Sequence, residues 1–206
     1  MAKLMMSQSD LKRLIRERRR RGGGRGDWHD EVWDGVYFMS PDPDNVHQSI
    51  RTSFCCCVHE AILGVDAQIF AGCNVSDRPE KWTKNYRIPD VAIFLPGNPA
   101  QDRGTHWLGG PDFAVEIVSP GDRSRKKFRF YAAVGVRELL FVDRRPWSLE
   151  LYRRDGEDWT KVGRVEPDDP ASLASLVLPL SFRLLDGLPH PSIEARHAEA
   201  PRRWII

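Results

Sequence analysis

The stretch Pro111–Asp143, PDFAVEIVSPGDRSRKKFRFYAAVGVRELLFVD, predicts a strand, a helix and a second strand in succession. Phe113–Val118 is a short apolar run interrupted by one carboxylate, Glu116, and a Ser-Pro-Gly-Asp turn follows it. Apolar residues then recur at helical spacing through the basic segment Arg123–Val134, which predicts an amphipathic helix. Leu139–Val142 indicates a second buried strand. An acid in a strand beside a lysine-bearing helix can bring a carboxylate and a cation to one point, which suggests metal-assisted chemistry.

Length and composition predict one domain without a membrane span. The chain has 206 residues, enough for one domain with a hydrophobic core but few for two. It carries no apolar run of about 18 residues and no signal-peptide pattern, so we expect a cytoplasmic protein. The formal net charge of +2 hides two basic segments, Lys12–Arg25 and Arg123–Arg129. Three consecutive cysteines, Cys55–Cys57, do not fit a disulfide framework, which favours reduced thiols.

We divide the chain into a basic N-terminal arm at residues 1–27, a domain at residues 28–188 and a C-terminal tail at residues 189–206. Ser9–Arg21 could form a short helix, but the segment ends in four consecutive arginines and three glycines come directly after it. The arm is therefore predicted to be mobile, either touching phosphate or remaining a solvated terminus. The tail is rich in Pro, Arg and Glu, and we expect little order there.

The remaining pattern predicts a mixture of hairpins, helices and buried strands. An Asp-Gly pair between two β-rich runs indicates a hairpin, and a polar Pro-rich break offers an N-cap for a helix with an apolar stripe. These predictions are a hairpin at Glu31–Met39, a helix from Pro41–Asp44 to near Gly64, strands at Val65–Ala71 and Arg87–Leu95, a loop at Asn98–Gly110, a hairpin formed by Ser148–Tyr152 and Trp159–Val165, and a further short strand within Leu173–Leu184.

Asp90 and Glu116 each lie in a run that reads as a strand near a loop. If the two strands are neighbours, their carboxylates can converge on one divalent ion. Hard oxygen ligands with open water positions suit Mg²⁺ or Mn²⁺. Such an ion can activate a water against a phosphodiester, and a nearby lysine can hold that water or offset developing charge.

Several ordered motifs resemble those of the Uma-two endonucleases, a branch of the restriction-endonuclease-like superfamily. The resemblance covers about Glu31–Val165 and implies a mixed α/β fold, a restriction-endonuclease-like core whose mixed β-sheet is flanked by helices, with additional β-hairpins. It also implies that an Asp and a Glu bind a metal ion and that the protein hydrolyses DNA phosphodiesters. The motifs are Pro89–Val91, PDFAVEIVSP, Lys127–Tyr131, Gly135–Glu138, Phe141–Asp143, the hairpin Glu31–Gly35 and the pair His47–Gln48.

The resemblance also assigns roles to individual residues. It places Asp90 and Glu116 as the two metal-binding acids, with the backbone carbonyl of Ile117 on the same ion. The superfamily often places its lysine two residues after the second acid, where this chain has Val118. In this branch the lysine lies on the following helix, four residues before a tyrosine, which matches Lys127, with Lys126 as the alternative. Glu31 would be an extra acid that orients the ion, and His47 would contact phosphate or water.

Structural alternatives exist for each of these residues. Asp90 could pair with Arg87, Glu116 could form an ion pair with Lys126 or Lys127, and His47 could hydrogen-bond its own helix turn. A further alternative is a zinc site, because Cys55 and His59 stand four residues apart and Cys73 could join them; core packing of these thiols competes with it.

The leading functional hypothesis is a Mg²⁺- or Mn²⁺-dependent endonuclease acting on DNA. Four basic residues near the predicted helix would hold the phosphate backbone without sequence preference. The alternatives are a nuclease-fold DNA-binding protein with weak or no turnover that acts with a partner, and a zinc-dependent regulator. A homodimer is compatible with cutting both strands. The predicted backbone-binding residues are Arg123, Arg125, Lys126 and Arg129, together with His47.

Overall fold

A computed structural model describes residues 8–21, 29–40, 43–119 and 123–206. The described residues form three α-helices, Gln8–Arg21 (α1), Asn45–Ala61 (α2) and Phe128–Ala133 (α3). Single 3₁₀ turns occur at Trp82–Lys84 and Ser124–Lys127. In the described ranges, no helix is both long enough and apolar enough to cross a bilayer.

Three sheets contain the strands of the described residues. The first half of the chain holds β1 (Glu31–Trp33), β2 (Val36–Phe38), β3 (Gln68–Phe70), β4 (Val75–Ser76), β5 (Tyr86–Arg87), β6 (Val91–Phe94), β7 (Gln101–Asp102) and β8 (Trp107–Leu108). The second half holds β9 (Phe113–Val118), β10 (Glu138–Arg144), β11 (Trp147–Asp155), β12 (Asp158–Val165), β13 (Leu173–Ala174), β14 (Leu180–Leu185), β15 (Ser192–His197) and β16 (Arg203–Ile205).

The central sheet has the order β12-β11-β10-β9-β6-β3. Strands β9 and β10 are parallel and are connected through α3, whereas the other neighbours in this sheet are antiparallel. This confirms the predicted mixed sheet with flanking helices, and also the predicted strand, helix and strand of Pro111–Asp143. The helical segment starts as a 3₁₀ turn, and Gly135, with φ of +91°, follows its end.

The two faces of the central sheet bury different cores. Strand β9 is buried on both faces, as its continuous apolar run predicts. One face packs against α2 and the sheet β13-β14-β15-β16, where Phe54 and Phe182 lie 5.5 Å apart between ring centroids. The opposite face packs against α3 around Tyr131 and Phe141. Glu116 therefore projects toward the α3 side, because it alternates with Val115 and Ile117, which face α2.

The remaining sheet, β2-β1-β5-β4-β8-β7, begins with the predicted hairpin. Asp34 and Gly35 both have positive φ, 47° and 86°, as a two-residue hairpin turn requires. Helix α2 has Asp44 as its N-cap, whose side chain accepts a hydrogen bond from the His47 N–H. The predicted strand in Val65–Ala71 and the predicted Ser148–Val165 hairpin are also present, as β3 and as β11 with β12.

Three predictions about local structure were wrong or incomplete. The run Arg87–Leu95 is not one strand but two, β5 and β6, which belong to different sheets. The break has a physical cause, since the Ile88 N–H donates to the Glu31 side chain and Pro89 has no N–H. The loop Asn98–Gly110 contains β7 and β8, and the segment Leu173–Leu184 contains parts of two strands, β13 and β14.

The expectation of little order after Pro189 was wrong. Strand β15 pairs with β14 over six residues, and β16 pairs with β15. Glu194, buried in β15, accepts hydrogen bonds from Arg183, Arg196 and Arg203, so the charged residues that suggested a tail form an internal ion-pair network. The predicted arm includes α1, whereas residues 1–7 and 22–28, like residues 120–122 of the predicted turn, lie outside the described residues.

Candidate active site

The two predicted acids face each other across neighbouring strands. Strands β6 and β9 are antiparallel with Val91 opposite Val115, so one step further along the ladder places Asp90 opposite Glu116. Opposed residues of an antiparallel pair project from the same face of the sheet. The Ile117 N–H donates to Asp90 Oδ2 at 2.7 Å, which fixes this carboxylate at the start of β6. The prediction that the two acid-bearing strands are neighbours is thus confirmed.

Lys127 lies between two buried carboxylates. Its Nζ is 3.0 Å from both oxygens of Glu116 and 2.9 Å from Glu31 Oε1. Glu31 also accepts hydrogen bonds from the Ile88 N–H and the Trp33 indole N–H, so its carboxylate has a fixed orientation. The lysine is 8% exposed. Although burial disfavours its charged form, Glu116 and Glu31 raise the pKa of Lys127 above its ordinary value.

Tyr131 is a member of this site to which the sequence analysis gave no role. It is fully buried, and its hydroxyl donates to Glu116 Oε1. Lys127 and Tyr131 stand four residues apart, and side chains at that spacing share a helix face. The spacing was visible in the sequence, but the structure was needed to show that both side chains point at Glu116.

Three acids, Glu31, Asp90 and Glu116, act electrostatically on the one buried lysine of the site. Burial raises the pKa of Glu116 above its ordinary value; Lys127 opposes this rise, while Asp90 and Glu31 add to it. Burial and neighbouring acids disfavour the ionised form of a carboxyl group. An additional cation close to Glu116 would therefore stabilise its ionised form.

His47 contacts the other carboxylate of the predicted pair. Its Nε2 lies 3.3 Å from Asp90 Oδ1, and the residue is 5% exposed. Its Nδ1 is buried without a hydrogen-bond partner among the described residues, and the ring faces Asp90 through Nε2. His47 thus helps to orient Asp90. Its backbone N–H, rather than its side chain, makes the local hydrogen bond to the helix cap, Asp44.

A cavity of about 750 Å³ opens over these residues. Its walls come from the hairpin β1–β2, the first turns of α2, the start of β6 and the end of β9. Trp33 and Phe38 form an aromatic side, and Arg123 lies against the Phe38 ring at 4.8 Å from its centroid. The predicted site residues that line this cavity are Glu31, His47, Asp90, Glu116, Ile117, Arg123 and Lys127.

The other predicted DNA-contacting residues lie outside the cavity lining. Lys126 and Arg129 are exposed on the same helical segment. Arg125 pairs with Glu150 and with Asp143. Burial raises the pKa of Glu150, but hydrogen bonds from Lys161 and Arg125 outweigh it and lower that pKa to about 2. Arg125 therefore helps to fix the helical segment to β10 and β11.

The alternative partners considered for these residues are only partly realised. The Arg87 guanidinium does not approach Asp90 as an ion pair; it donates to the Val32 carbonyl and lies between the rings of Trp33 and Phe130. The ion pair between Glu116 and Lys127 is present, and it is compatible with a catalytic role for both residues.

Three of the four cysteines pack against apolar cores, and Cys56 is exposed. Cys57 lies in the core beside α2, Cys55 packs against it, and Cys73 packs near α3. Burial raises the pKa of the Cys55 thiol to about 11 and that of Cys73 to about 12, which opposes the thiolate form that zinc needs. These contacts favour the packing interpretation of these thiols.

The donor set at the cavity suits a magnesium-like ion. In the part of the chain that the structure describes, no group of three or more His, Cys, Asp or Glu side chains forms a complete metal site. Magnesium does not require one, because it keeps several waters and is usually held by one or two carboxylates together with substrate phosphates. Asp90 and Glu116, on neighbouring strands and both lining the cavity, fit that requirement.

Comparison with known proteins identifies the family. A family model described as "Uma2: Putative restriction endonuclease" matches residues 24–185. The chain belongs to the Uma2 family. This Uma2 chain is also similar to the crystal structure of a putative nuclease belonging to DUF820 from Anabaena variabilis, with 18% sequence identity and a TM-score of 0.53. That match covers 71% of the Uma2 chain and 80% of the other chain, and at this identity it shows a shared fold.

The search of curated proteins finds no match. The Uma2 family nevertheless supports a nuclease function for this chain. Strands β15 and β16 lie beyond the matched residues, which end at 185, so the family pattern does not describe the last two strands of the Uma2 chain.

Proposed function

We propose that the protein is a metal-dependent endonuclease that hydrolyses DNA phosphodiester bonds. The observation that carries this proposal is the antiparallel register of β6 and β9, which brings Asp90, just before β6, beside Glu116, with Lys127 Nζ 3.0 Å from Glu116. Asp90 and Glu116 would hold Mg²⁺ or Mn²⁺, and the Ile117 carbonyl is the further ligand that the family resemblance implies. When bound, such an ion supplies an activated water and polarises a phosphoryl oxygen.

The protein's own residues would prepare the site for that chemistry. Glu31 and Glu116 hold the Lys127 ammonium in place, where its positive charge offsets negative charge that develops on the phosphate. Tyr131 orients Glu116 through its hydrogen bond, and His47 orients Asp90 through the 3.3 Å contact of its Nε2. The aromatic side of the cavity, formed by Trp33 and Phe38, offers an apolar surface beside the reacting group.

Cleavage of plasmid and single-stranded DNA tests this proposal. We expect cleavage to require Mg²⁺ or Mn²⁺ and to fall by about a hundred-fold or more in Asp90→Asn and Glu116→Gln, because several kcal/mol of transition-state stabilisation depend on the ion. Glu157→Gln is a matched control, since Glu157 is an exposed acid in the β11–β12 turn. If wild-type protein binds DNA but cuts no substrate, the protein is a DNA-binding member of the fold instead.

The basic N-terminal arm is proposed as a second contact with the DNA backbone. Residues 1–27 carry a cluster of arginines and lysines, and each phosphate contact adds to the salt dependence of binding. Deletion of residues 1–27 should weaken DNA binding and flatten the slope of log Kd against log salt. An unchanged slope would show that the arm does not take part in binding.

A further inference from the structure

Arg51 is a cavity-lining cation that the mechanism above does not use. It stands one helical turn after His47 on α2 and is half-buried. Its Nε is buried without a hydrogen-bond partner. To the described residues Arg51 donates no hydrogen bond and forms no ion pair, although the same cavity contains Asp44, Asp90 and Glu116.

The other two arginines whose Nε is buried without a partner in the described residues donate through another nitrogen. Arg87 and Arg144 also have an unpartnered Nε, but Arg87 donates through Nη1 to backbone and side-chain oxygens. Arg144 donates through Nη1 to both oxygens of Asp44. Arg51 has no such acceptor among the described residues. Of these three guanidinium groups, it is therefore the one for which a bound ligand would provide the missing hydrogen-bond acceptor.

The chemistry of the guanidinium indicates the class of ligand. A buried N–H donor without an acceptor is destabilising, and hydrogen bonds from a charged donor are stronger than neutral ones. The planar fork of arginine matches phosphate, which presents several acceptor oxygens. Gly72 lies beside it, because a Cβ built there would be 3.9 Å from Arg51 Nη1. Gly72 also lines the cavity, so this end of the Arg51 side chain lies at the cavity wall.

We infer that Arg51 binds a backbone phosphate adjacent to the phosphodiester that reacts at Asp90 and Glu116, which makes it a substrate-binding residue of the site. The inference rests on the proposed function. Its geometry follows from α2, because residues four apart on a helix are neighbours with Cβ atoms about 5–6 Å apart. His47 contacts Asp90, so Arg51 presents its charge one helical turn from the group that would hold the metal ion.

A binding experiment tests the contact without requiring cleavage. The dissociation constant of a fluorescent single-stranded oligonucleotide is measured in EDTA over a range of salt concentrations for wild type, Arg51→Gln, Arg51→Lys and Arg202→Gln. Arg202 is exposed in the turn between β15 and β16, so Arg202→Gln removes the same charge away from the cavity. Thermal unfolding of all four proteins checks that they are folded.

We expect Arg51→Gln to weaken binding by about ten-fold or more, the effect of losing one charged hydrogen-bonding partner. The slope of log Kd against log salt should fall by about one. Arg51→Lys keeps the charge but not the fork, so it should recover the slope and only part of the affinity. Equal affinities for wild type and folded Arg51→Gln would overturn the inference, whatever the cleavage assay shows.

A cleavage experiment locates the phosphate. Oligonucleotides that carry a single neutral methylphosphonate are cut, and each product is mapped relative to the modified position. In wild type we expect fewer cuts at the phosphodiester on one side of the neutral linkage, because the neutral linkage then occupies the position that Arg51 contacts. In Arg51→Gln we expect this difference to disappear. Depletion that is the same in both proteins would overturn the assignment of Arg51 while leaving the nuclease function intact. Metal-dependent cleavage that is absent while Arg51-dependent binding remains would overturn the nuclease function instead.

Discussion

Tyr131 determines how the acid at the centre of the site is held. Its hydroxyl donates to Glu116, and burial raises the pKa of Tyr131 above its ordinary value, so the hydroxyl remains a proton donor. Tyr131→Phe should reduce cleavage by about ten-fold and unfolding free energy by about 1.5 kcal/mol, the range for a hydrogen bond to a charged group. Tyr152→Phe is the matched control, because Tyr152 donates to Glu150 outside the cavity. Equal cleavage by Tyr131→Phe and Tyr152→Phe would contradict the prediction.

Lys127 links the stability of the site to its activity. Lys127→Met retains the aliphatic stem but leaves Glu31 and Glu116 without their shared cation. Removing one partner of a buried ion pair is strongly destabilising, and we expect a loss of about 3 kcal/mol in urea unfolding. Cleavage should fall, whereas Mn²⁺ affinity measured by calorimetry should be largely retained, because the acids remain. Lys84→Ala, which removes an exposed lysine, serves as control. Loss of Mn²⁺ binding in a folded Lys127→Met variant would show that the lysine organises the metal ligands as well.

At the scale of elements, the start of α2 depends on one cap. Asp44 accepts the His47 N–H and two hydrogen bonds from Arg144, and the Arg144 side chain, followed by the capped N–H, lowers the pKa of Asp44 from 3.8 to about 2. Asp44→Ala should cost about 1 kcal/mol of stability, the usual value for a lost N-cap. His47 would then be less well placed against Asp90.

The pH dependence of that loss has a definite sign. A carboxyl whose folded pKa is depressed contributes stability above its unfolded pKa and loses this contribution as pH falls through the folded value. The difference in unfolding free energy between wild type and Asp44→Ala should thus be constant above about pH 4 and shrink toward pH 2. Asp44→Asn keeps a good cap and does not titrate, so its stability relative to Asp44→Ala should not change over this range. A constant difference between wild type and Asp44→Ala down to pH 2 would contradict this assignment.

The elements whose structure depends on residues close together in the sequence were predictable. The elements whose structure depends on contacts with residues far away in the sequence were not. The turn at Asp34-Gly35 and the sequence of β9, α3 and β10 follow from local patterns. The break between β5 and β6 depends on Glu31, whose side chain lies 57 positions earlier in the sequence and accepts a hydrogen bond from the Ile88 N–H. The same distinction applies within the site, since helical spacing relates Lys127 to Tyr131, whereas only the fold brings them to Glu116.

The whole molecule places its candidate site and its largest core on different sides of the central sheet. The α3 side carries Glu116 with Lys127 and Tyr131, while the other side is covered by α2 and the C-terminal sheet. Helix α2 contributes to both the candidate site and the core, because its first turns line the cavity and its middle packs in the core at Phe54. Complete loss of the C-terminal sheet should therefore uncover the core side of α2, the helix whose first turns line the cavity.

The last 18 residues give the sharpest test of that arrangement. Deleting residues 189–206 removes β15 and β16, and with them Ile193 and Ala195, which are fully buried in the core. We expect the shortened chain to aggregate or unfold, because β14 would become an edge strand beside an uncovered apolar core.

A point variant separates this effect from the deletion itself. Ile193→Ala should lower the unfolding free energy by about 3 kcal/mol, as expected when a fully buried isoleucine side chain is truncated. Ile205→Ala, at a residue that is 56% exposed in β16, should change it by less than about 0.5 kcal/mol. Below its lowered melting temperature, Ile193→Ala should still cleave DNA at the wild-type rate, because the substitution does not touch the cavity. A shortened chain that unfolds cooperatively at the wild-type urea midpoint would show that the C-terminal strands are not part of the folded core.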